Sequence, residues 1–180
     1  MSRLSGDEQA IVLIGPPGAG KTTVGGLLAR DLKVPFADSD RLIEDELGKK
    51  IADIFVEDGE PFFREYESRI VVDLLDDPKG VIALGGGAVL SQAVQDSLAD
   101  CRDRGVDVIF LDVGIGHAAP RVGFNKERPL LMVNPRASWQ ELMNKRRPIY
   151  ERLCHRTIDT NGFTPEEVVA KIMASGKDAI

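Results

Sequence analysis

A segment of eight residues constrains the fold of this chain more than any other feature. Gly15–Thr22 has the sequence GPPGAGKT, which fits the pattern GxxxxGK[ST]. It follows the short apolar run Ile11–Ile14 and precedes Thr22–Leu32, where apolar residues recur with helical spacing. A strand, a glycine-rich turn and a helix in this order are typical of a phosphate-binding loop, or P-loop. The alternative is a turn that binds nothing, but such a turn does not need a lysine and a hydroxyl together.

The residue types of this loop predict its ligands. Glycines let successive backbone N–H groups point at phosphate oxygens, and the amino end of the following helix adds partial positive charge. We expect Lys21 to reach the β- and γ-phosphates and to act in catalysis, and the Thr22 hydroxyl to bind magnesium. ATP and Mg²⁺ are therefore the predicted cofactors. The predicted nucleotide-binding residues of the loop are Gly18, Ala19, Gly20, Lys21, Thr22 and Thr23.

Several protein classes are disfavoured by composition and by missing motifs. Guanine-specific P-loop proteins need an Asn-Lys-x-Asp segment after a strand, whereas residues 125–128 have the sequence NKER. A formal charge of −6 over 180 residues argues against binding nucleic acid. The sequence has no apolar stretch that is long enough to span a membrane. Cys101 and Cys154 form no CxxC pattern, and we expect a cytoplasmic protein in which both cysteines are structural.

Strand and helix patterns alternate along the rest of the chain. Such alternation predicts an α/β fold of the three-layer P-loop NTPase type, with a five-stranded parallel sheet flanked by helices. We expect a single kinase domain over 1–180, with a substrate-binding helical region at about 40–75. Gly114–Pro135 has no clear period and is predicted to be a long loop, forming a mobile lid. Further strands are predicted near 36–38, 81–84, 106–111 and 157–159, and further helices over 40–47, 51–57, 61–75, 91–98, 138–154 and 164–173.

Two aspartates close the predicted second strand. In Asp38-Ser39-Asp40 the carboxylates are two residues apart, so they should point to the same side, at the edge where phosphates are expected. One can serve magnesium and the other the hydroxyl that receives the phosphoryl group. The alternative is that one of them, such as Asp40, only caps the following helix.

Three further motifs complete the pattern. They are Phe62-Phe63-Arg64-x-x-Glu67, Leu84-Gly85-Gly86-Gly87-Ala88 and Arg128-Pro129-Leu130-Leu131. Together with the P-loop and the aspartate pair they resemble the shikimate kinase family, in the same order and spacing over nearly the whole chain. The resemblance includes Ile51–Phe55 and Lys145–Tyr150. It implies a monomer with a nucleoside-monophosphate-kinase-like fold that transfers the γ-phosphoryl group of ATP to the 3-hydroxyl of shikimate, in chorismate and aromatic amino-acid biosynthesis.

The resemblance also implies roles for individual residues on the acceptor side. Asp38 would assist magnesium through water, while Asp40 would contact the shikimate hydroxyls and is the candidate base. Arg64 would bind the substrate carboxylate, with Glu67 orienting it. Arg146 matches the second carboxylate-binding arginine. Gly85, Gly86 and Gly87 would bring their backbone close to the acceptor.

On the nucleotide side, the resemblance implies that Arg128 reaches the transferring phosphoryl group as a catalytic residue and that Arg121 lies against adenine. The sequence departs from the family pattern at Gly162, where relatives carry a basic residue that touches the nucleotide. It departs again at Pro120, where relatives carry a second arginine. We therefore expect weaker base contacts from the loop around Gly162.

Taken alone, several of these residues have simpler interpretations. Arg64 and Glu67 can form a solvated ion pair on a helix surface, Gly85–Gly87 can be a flexible turn, and Arg147 is as basic as Arg146. Phe55, Phe62 and Phe63 are expected in the core. Two other functions stay open at this point: a related kinase acting on gluconate or a nucleoside monophosphate, and a nucleotide-sensing module without phosphoryl transfer.

Overall fold

The computed structural model describes residues 10–122 and 134–176. These residues form five strands, eight α-helices and a short 3₁₀ turn at Ala88–Leu90. The strands are β1 (Ile11–Ile14), β2 (Phe36–Asp38), β3 (Val81–Ala83), β4 (Asp107–Asp112) and β5 (Arg156–Asp159). The helices are α1 (Lys21–Leu32), α2 (Ser39–Leu47), α3 (Ile51–Glu57), α4 (Glu60–Asp76), α5 (Gln92–Asp103), α6 (Ile115–Val122), α7 (Pro135–Leu153) and α8 (Pro165–Ser175).

All five strands are parallel, in the spatial order β2-β3-β1-β4-β5. Ile11 of β1 is in register with Val81 of β3 on one side and with Asp107 of β4 on the other. Every residue of β1 is buried although alternate side chains face opposite ways, so helices cover both faces of the sheet. Because the strands are parallel, the segments that follow them meet along one edge. That edge carries the P-loop and the other candidate site residues.

The apolar side chains form two hydrophobic clusters. The main core surrounds the sheet, with β1, β3 and β4 at its centre. A smaller core lies between α2, α3 and α4 and is built from Ile43, Ile54, Phe63 and Ile70. Leu74 of α4 packs against both clusters and joins them. Within the described residues, no helix is both long and apolar enough to cross a membrane.

The predicted α/β fold with its five-stranded parallel sheet is confirmed. The prediction that Gly114–Pro135 is a loop was wrong at its start, because Ile115–Val122 forms α6. Gly116 and Pro120 weaken the helical pattern in the sequence. The packing of Ala118 and Ile115 on the main core outweighs that weakness. The rest of the predicted lid, from 123 to 133, is outside the described residues. Helix α5 also runs on to Asp103 instead of ending at Leu98.

Candidate active site

The P-loop joins β1 to α1 at the carboxyl edge of the sheet. Gly20 precedes α1 with φ of 90°, a left-handed conformation that glycine adopts without strain. As a glycine it offers no side chain to cap the helix, so the first-turn N–H groups face the loop, as an anion site requires. Lys21 is buried, and its Nζ donates to the carbonyl oxygens of Gly15 (2.7 Å) and Pro16 (2.9 Å). Its ammonium group is therefore held inside the loop where phosphates would bind.

Asp38 uses its two carboxylate oxygens for different partners. The Thr22 hydroxyl donates to Oδ2 at 2.6 Å, and Oδ1 accepts from the backbone N–H groups of Asp40 (3.0 Å) and Arg41 (3.2 Å). Asp38 is thus the N-cap of α2. The interpretation of Asp40 as this cap was wrong, since Asp40 lies inside the first turn of the helix.

The same arrangement suits magnesium. Because the Thr22 hydroxyl directs its proton to Asp38, its lone pairs stay available for a cation. Hydroxyl and carboxylate oxygens are ligands that Mg²⁺ accepts, and Mg²⁺ in phosphate sites takes only one or two from the protein. The described residues contain no cluster of three or more His, Cys, Asp or Glu that could hold a metal ion.

The segment after β3 packs tightly on these acidic groups. The Gly85 N–H donates to Ser39 Oγ at 2.9 Å. A Cβ atom on Gly85 would lie 2.5 Å from Asp40 Oδ1 and 2.7 Å from Glu67 Oε1. A Cβ atom on Gly87 would overlap the Arg64 guanidinium. All three glycines from 85 to 87 are buried and none has a positive φ. The flexible-turn interpretation is therefore wrong: glycine is needed here for space.

Arg64 and Glu67 of α4 form a largely buried ion pair. Arg64 Nη1 lies 2.7 Å from Glu67 Oε2, and the Glu67 side chain is only 3% exposed. Burial raises the pKa of Glu67, and the neighbouring Arg64 guanidinium opposes that rise. The solvated-pair interpretation is wrong for these residues. The Arg64 guanidinium also lies 5.3 Å from the Phe63 ring and 5.9 Å from the Phe55 ring.

Of the three phenylalanines expected in the core, Phe63 is buried and Phe55 packs against the smaller cluster. The prediction for Phe62 was wrong, because this side chain is 40% exposed.

Helix α7 places Arg146 near the Arg64–Glu67 pair. The electrostatic neighbours of Arg146 are Tyr150, Arg64 and Glu67. Burial lowers the pKa of Arg146, and the positive charge of Arg64 adds to this effect. The adjacent Arg147 instead forms a bidentate pair with Asp112 at the end of β4, at 2.8 and 2.7 Å. Two guanidinium groups thus converge around the buried Glu67 carboxylate, which favours binding of an anion between them.

A cavity of about 340 Å³ extends along the P-loop to Asp38, Asp40, Gly85 and Gly86. Its lining continues past the end of β5, through residues that sequence reasoning did not single out: Thr160, Phe163, Pro165 and Val168. Their position was predictable in principle, because ligands of open parallel sheets bind outside the carboxyl ends of the strands.

Arg121 of α6 closes one side of this cavity. Its Nη2 donates to the carbonyl oxygens of Thr160 (3.3 Å) and Phe163 (3.4 Å), and its Nη1 to that of Gly18 (3.4 Å). Arg121 therefore supplies positive charge beside the loop around Gly162, which lacks a basic residue of its own. Arg128 lies outside the described residues, so its catalytic role stays a prediction.

The fold and this site define a small P-loop kinase, with a phosphate loop and an acceptor region at one edge of a parallel sheet. A family model described as "Shikimate kinase" matches residues 17–176. A shikimate kinase of Thermobifida fusca is 46% identical over 170 residues, which cover 93% of this chain and 96% of the relative. One of Rhodococcus jostii is 42% identical over 164 residues, or 91% and 95% of the two chains. The chain belongs to the shikimate kinase family.

Solved structures agree with this assignment. The shikimate kinase of Acinetobacter baumannii, determined in complex with shikimate, superposes with a TM-score of 0.87 and 36% sequence identity. The match covers 94% of this chain and 93% of that one. The resemblance inferred from the sequence motifs is confirmed.

Proposed function

We propose that the cavity along the P-loop is the active site in which this chain transfers the γ-phosphoryl group of ATP to the 3-hydroxyl of shikimate. The activity is that of its family, which uses ATP with Mg²⁺ and serves chorismate and aromatic amino-acid biosynthesis. What we propose is which residues perform it. One observation is the main support: Arg64 and Arg146 converge around Glu67, next to the Asp40 carboxylate that lines the same cavity as the P-loop.

In the acceptor region, Arg64 and Arg146 bind the shikimate carboxylate. Guanidinium groups form forked, charge-assisted hydrogen bonds with carboxylates, so two of them fix both the position and the orientation of the substrate. Glu67 accepts from Arg64 and keeps its guanidinium in place. Holding the acceptor hydroxyl in line with the phosphoryl group supplies much of the catalysis in a transfer of this type.

Asp40 is the group that acts on the acceptor hydroxyl, by binding it and by accepting its proton. Its carboxylate lies over the backbone of Gly85 and next to Glu67, so the hydroxyl would be held close to the glycine segment. Gly85, Gly86 and Gly87 form the floor of this region with their backbone.

At the nucleotide end, the P-loop residues 18–23 bind the phosphates. Lys21 exchanges its bonds to loop carbonyls for bonds to phosphate oxygens. Thr22 and, through water, Asp38 would hold Mg²⁺, which would supply positive charge for the phosphates. Arg121 lies against the adenine. Arg128 lies outside the described residues, and its catalytic contact with the transferring phosphoryl group stays a prediction from the resemblance.

An assay that couples ADP release to a spectroscopic signal tests the assignment. With ATP and Mg²⁺ present, shikimate should support at least a hundredfold higher kcat/KM than gluconate or AMP. Better turnover of gluconate or AMP would show a different kinase. Tight ATP binding without ADP release for any acceptor would show a nucleotide-sensing module.

We propose further that the enzyme is a cytoplasmic monomer that does not act on nucleic acid. Both Cys101 and Cys154 are free thiols, which suits a reducing compartment. Light scattering across a range of protein concentrations should give the mass of one chain. A mass that doubles at micromolar concentration would contradict the monomer.

A further inference from the structure

Tyr150 is a fully buried residue of α7 whose side chain is fixed from two directions. Its hydroxyl donates to the carbonyl oxygen of Gly86 at 2.5 Å. Its ring stacks on the ring of Phe110 in β4, with 5.0 Å between centroids and 27° between planes. Packing and hydrogen bonding together leave the phenol oxygen in one place. That place is beside the glycine segment of the proposed acceptor region.

Arg146 lies one helical turn before Tyr150 on the same face of α7. The Arg146 guanidinium and the Tyr150 phenol are electrostatic neighbours. A phenol donates one hydrogen bond and accepts others. Because the Tyr150 proton is directed to Gly86, the lone pairs of the phenol oxygen stay available to the neighbouring Arg146 guanidinium. The phenol therefore connects the backbone of the glycine segment to the guanidinium group.

Gly86 in turn rests on the P-loop. A Cβ atom on Gly86 would lie 2.9 Å from Pro17 Cδ and 3.3 Å from the Gly15 carbonyl oxygen, so no larger residue fits between the two segments. A continuous chain of contacts thus runs from Arg146 through Tyr150 and Gly86 to the phosphate loop. Arg64 packs directly on the backbone of Gly87, whereas Arg146 meets the glycine segment through the Tyr150 phenol.

We propose that Tyr150 is a positioning residue for the acceptor: its phenol sets the distance between the Arg146 guanidinium and the phosphate loop. This inference rests on the proposed role of Arg146 as a carboxylate ligand. Through Arg146, Tyr150 fixes where the carboxylate end of shikimate lies relative to the phosphoryl group. A purely structural Tyr150 would contribute its ring to the core and nothing specific to the acceptor.

Tyr150→Phe separates these two roles, since it keeps the ring and removes the phenol with its hydrogen bond to Gly86 and its polar contact with Arg146. We expect the KM for shikimate to rise about tenfold, with the KM for ATP changed less than about twofold. Tyr66→Phe is the matched control. It removes the phenol hydrogen bond to Glu46 on the outer side of α4 and should leave both KM values within about twofold. An unchanged shikimate KM in Tyr150→Phe, or equal rises for both substrates, would overturn the inference.

A double-variant cycle with Arg146→Met distinguishes this inference from the proposed function. If Tyr150 acts through Arg146, adding Tyr150→Phe to Arg146→Met should change the shikimate KM less than about twofold further. If Tyr150→Phe still raises the shikimate KM tenfold in the Arg146→Met variant, the inference is overturned and the role of Arg146 is unaffected. If Arg146→Met alone leaves the shikimate KM unchanged, the carboxylate-binding role of Arg146 fails.

A measurement on the unaltered enzyme covers the case in which Tyr150→Phe does not fold. The chain has two tyrosines, so labelling tyrosine with ¹³C at the ring carbon that bears the hydroxyl gives one NMR signal for each. Saturating shikimate should shift the Tyr150 signal and leave that of Tyr66 in place, because the Tyr150 phenol bonds to Gly86 and neighbours Arg146, whereas the Tyr66 phenol bonds to Glu46. Absence of a shift at Tyr150 would overturn the inference.

Discussion

At the scale of single residues, the proposed acceptor region depends on charged groups that are held away from water. Glu67 has a side chain that is 3% exposed, and its partner Arg64 is 25% exposed. An isolated buried carboxylate would destabilise the fold by several kcal/mol, so the pair is stable only as a pair. The same burial strengthens the interaction of Arg64 with an incoming carboxylate, because fewer water molecules compete for the guanidinium.

Asp40→Asn tests the residue assigned to the acceptor hydroxyl. The amide keeps the shape of the side chain but cannot accept a proton, so kcat should fall by about 10²–10⁴-fold, while the Kd for ATP stays nearly the same. Steady-state kinetics and ATP titration measure the two quantities. Asp45→Asn, at an exposed position of the same helix, should leave both unchanged. Normal turnover in Asp40→Asn would remove this residue as base and as hydroxyl ligand.

The pKa of Glu67 predicts a pH dependence of stability. Burial raises this pKa above the ordinary value of 4.5, so the folded protein binds the proton more tightly than the unfolded chain. The stabilisation that protonation provides is complete below about pH 4.5 and is lost as the pH rises through the folded pKa. Glu67→Gln cannot ionise. Its free energy of unfolding relative to the wild type should therefore increase as the pH rises, and then level off.

Urea unfolding of the wild type and of Glu67→Gln between about pH 4 and pH 8 measures this difference. Glu65→Gln, at an exposed position of the same helix, should show a difference that varies little with pH. A difference between Glu67→Gln and the wild type that decreases with rising pH would contradict a raised pKa of Glu67 in the folded protein.

At the scale of elements, Asp38 links the amino ends of two helices. Its Oδ1 caps α2 and its Oδ2 accepts from Thr22 in the first turn of α1. The aspartate that is proposed to serve magnesium therefore also ties together the helix that carries the P-loop hydroxyl and the helix that carries Asp40. The geometry of a metal site at Asp38 and Thr22 would therefore depend on the positions of both α1 and α2.

Asp38→Asn and Asp38→Ala separate capping from metal binding. Asparagine is as good an N-cap as aspartate, so Asp38→Asn should unfold with a free energy within about 0.5 kcal/mol of the wild type, whereas Asp38→Ala should lose about 1 kcal/mol. Both should need about tenfold more Mg²⁺ for half-maximal activity. Denaturant titration and a Mg²⁺ titration of activity measure these effects. An unaltered Mg²⁺ requirement in Asp38→Asn would contradict the metal role.

The sequence predicted elements where local patterns decide them. Strands β1, β3 and β4 were predictable because their residues are mostly apolar and turn residues follow them. The P-loop was predictable because its chemistry needs particular residues at fixed spacing. Helix α6 was not predictable, because Gly116 and Pro120 weaken its helical sequence pattern and packing on the core stabilises it. In the site, the choice between Arg146 and Arg147 depends on which way α7 faces, and only tertiary contacts such as Arg147 with Asp112 reveal that.

The reason for the triple glycine was also beyond the sequence. Sequence reasoning attributed Gly85–Gly87 to the close approach of a substrate ring. In the structure, the space that their side chains would fill is taken by protein atoms, the Asp40 and Glu67 carboxylates and the Arg64 guanidinium. The requirement for glycine arises because the segment 85–87, α2 and α4 are distant in sequence and adjacent in space.

At the scale of the whole molecule, the smaller core between α2, α3 and α4 carries much of the acceptor region, while the main core carries the P-loop. The two clusters share few residues: Leu74 packs against both, and α4 supplies Ile70 to the smaller core and the adjacent Val71 to the main core. Local unfolding of the smaller core should therefore be separable from global unfolding.

Ile54→Ala tests this division, since Ile54 is fully buried in the smaller core. The cavity should cost about 2–4 kcal/mol. We expect faster amide hydrogen exchange across α2, α3 and α4 and a higher KM for shikimate, with slow exchange kept in β1 and β4. Ile82→Ala, in β3 of the main core, is the matched variant and should accelerate exchange throughout the sheet. Equal acceleration in both regions by Ile54→Ala would show a single cooperative unit.

The strand order has a consequence for how the chain folds as it is made. The central strand β1 is the first to be synthesised, yet both of its neighbours, β3 and β4, come much later in the chain. At about 5–20 residues per second, β4 emerges about 5–20 s after β1. β3 emerges earlier, about 3–13 s after β1. Until then an entirely apolar strand has two open edges, and one edge stays open until β4 emerges; open edges can pair with other nascent chains. Yield in a host cell should therefore depend on chaperones that cover this strand, and improve when slower initiation keeps nascent chains apart.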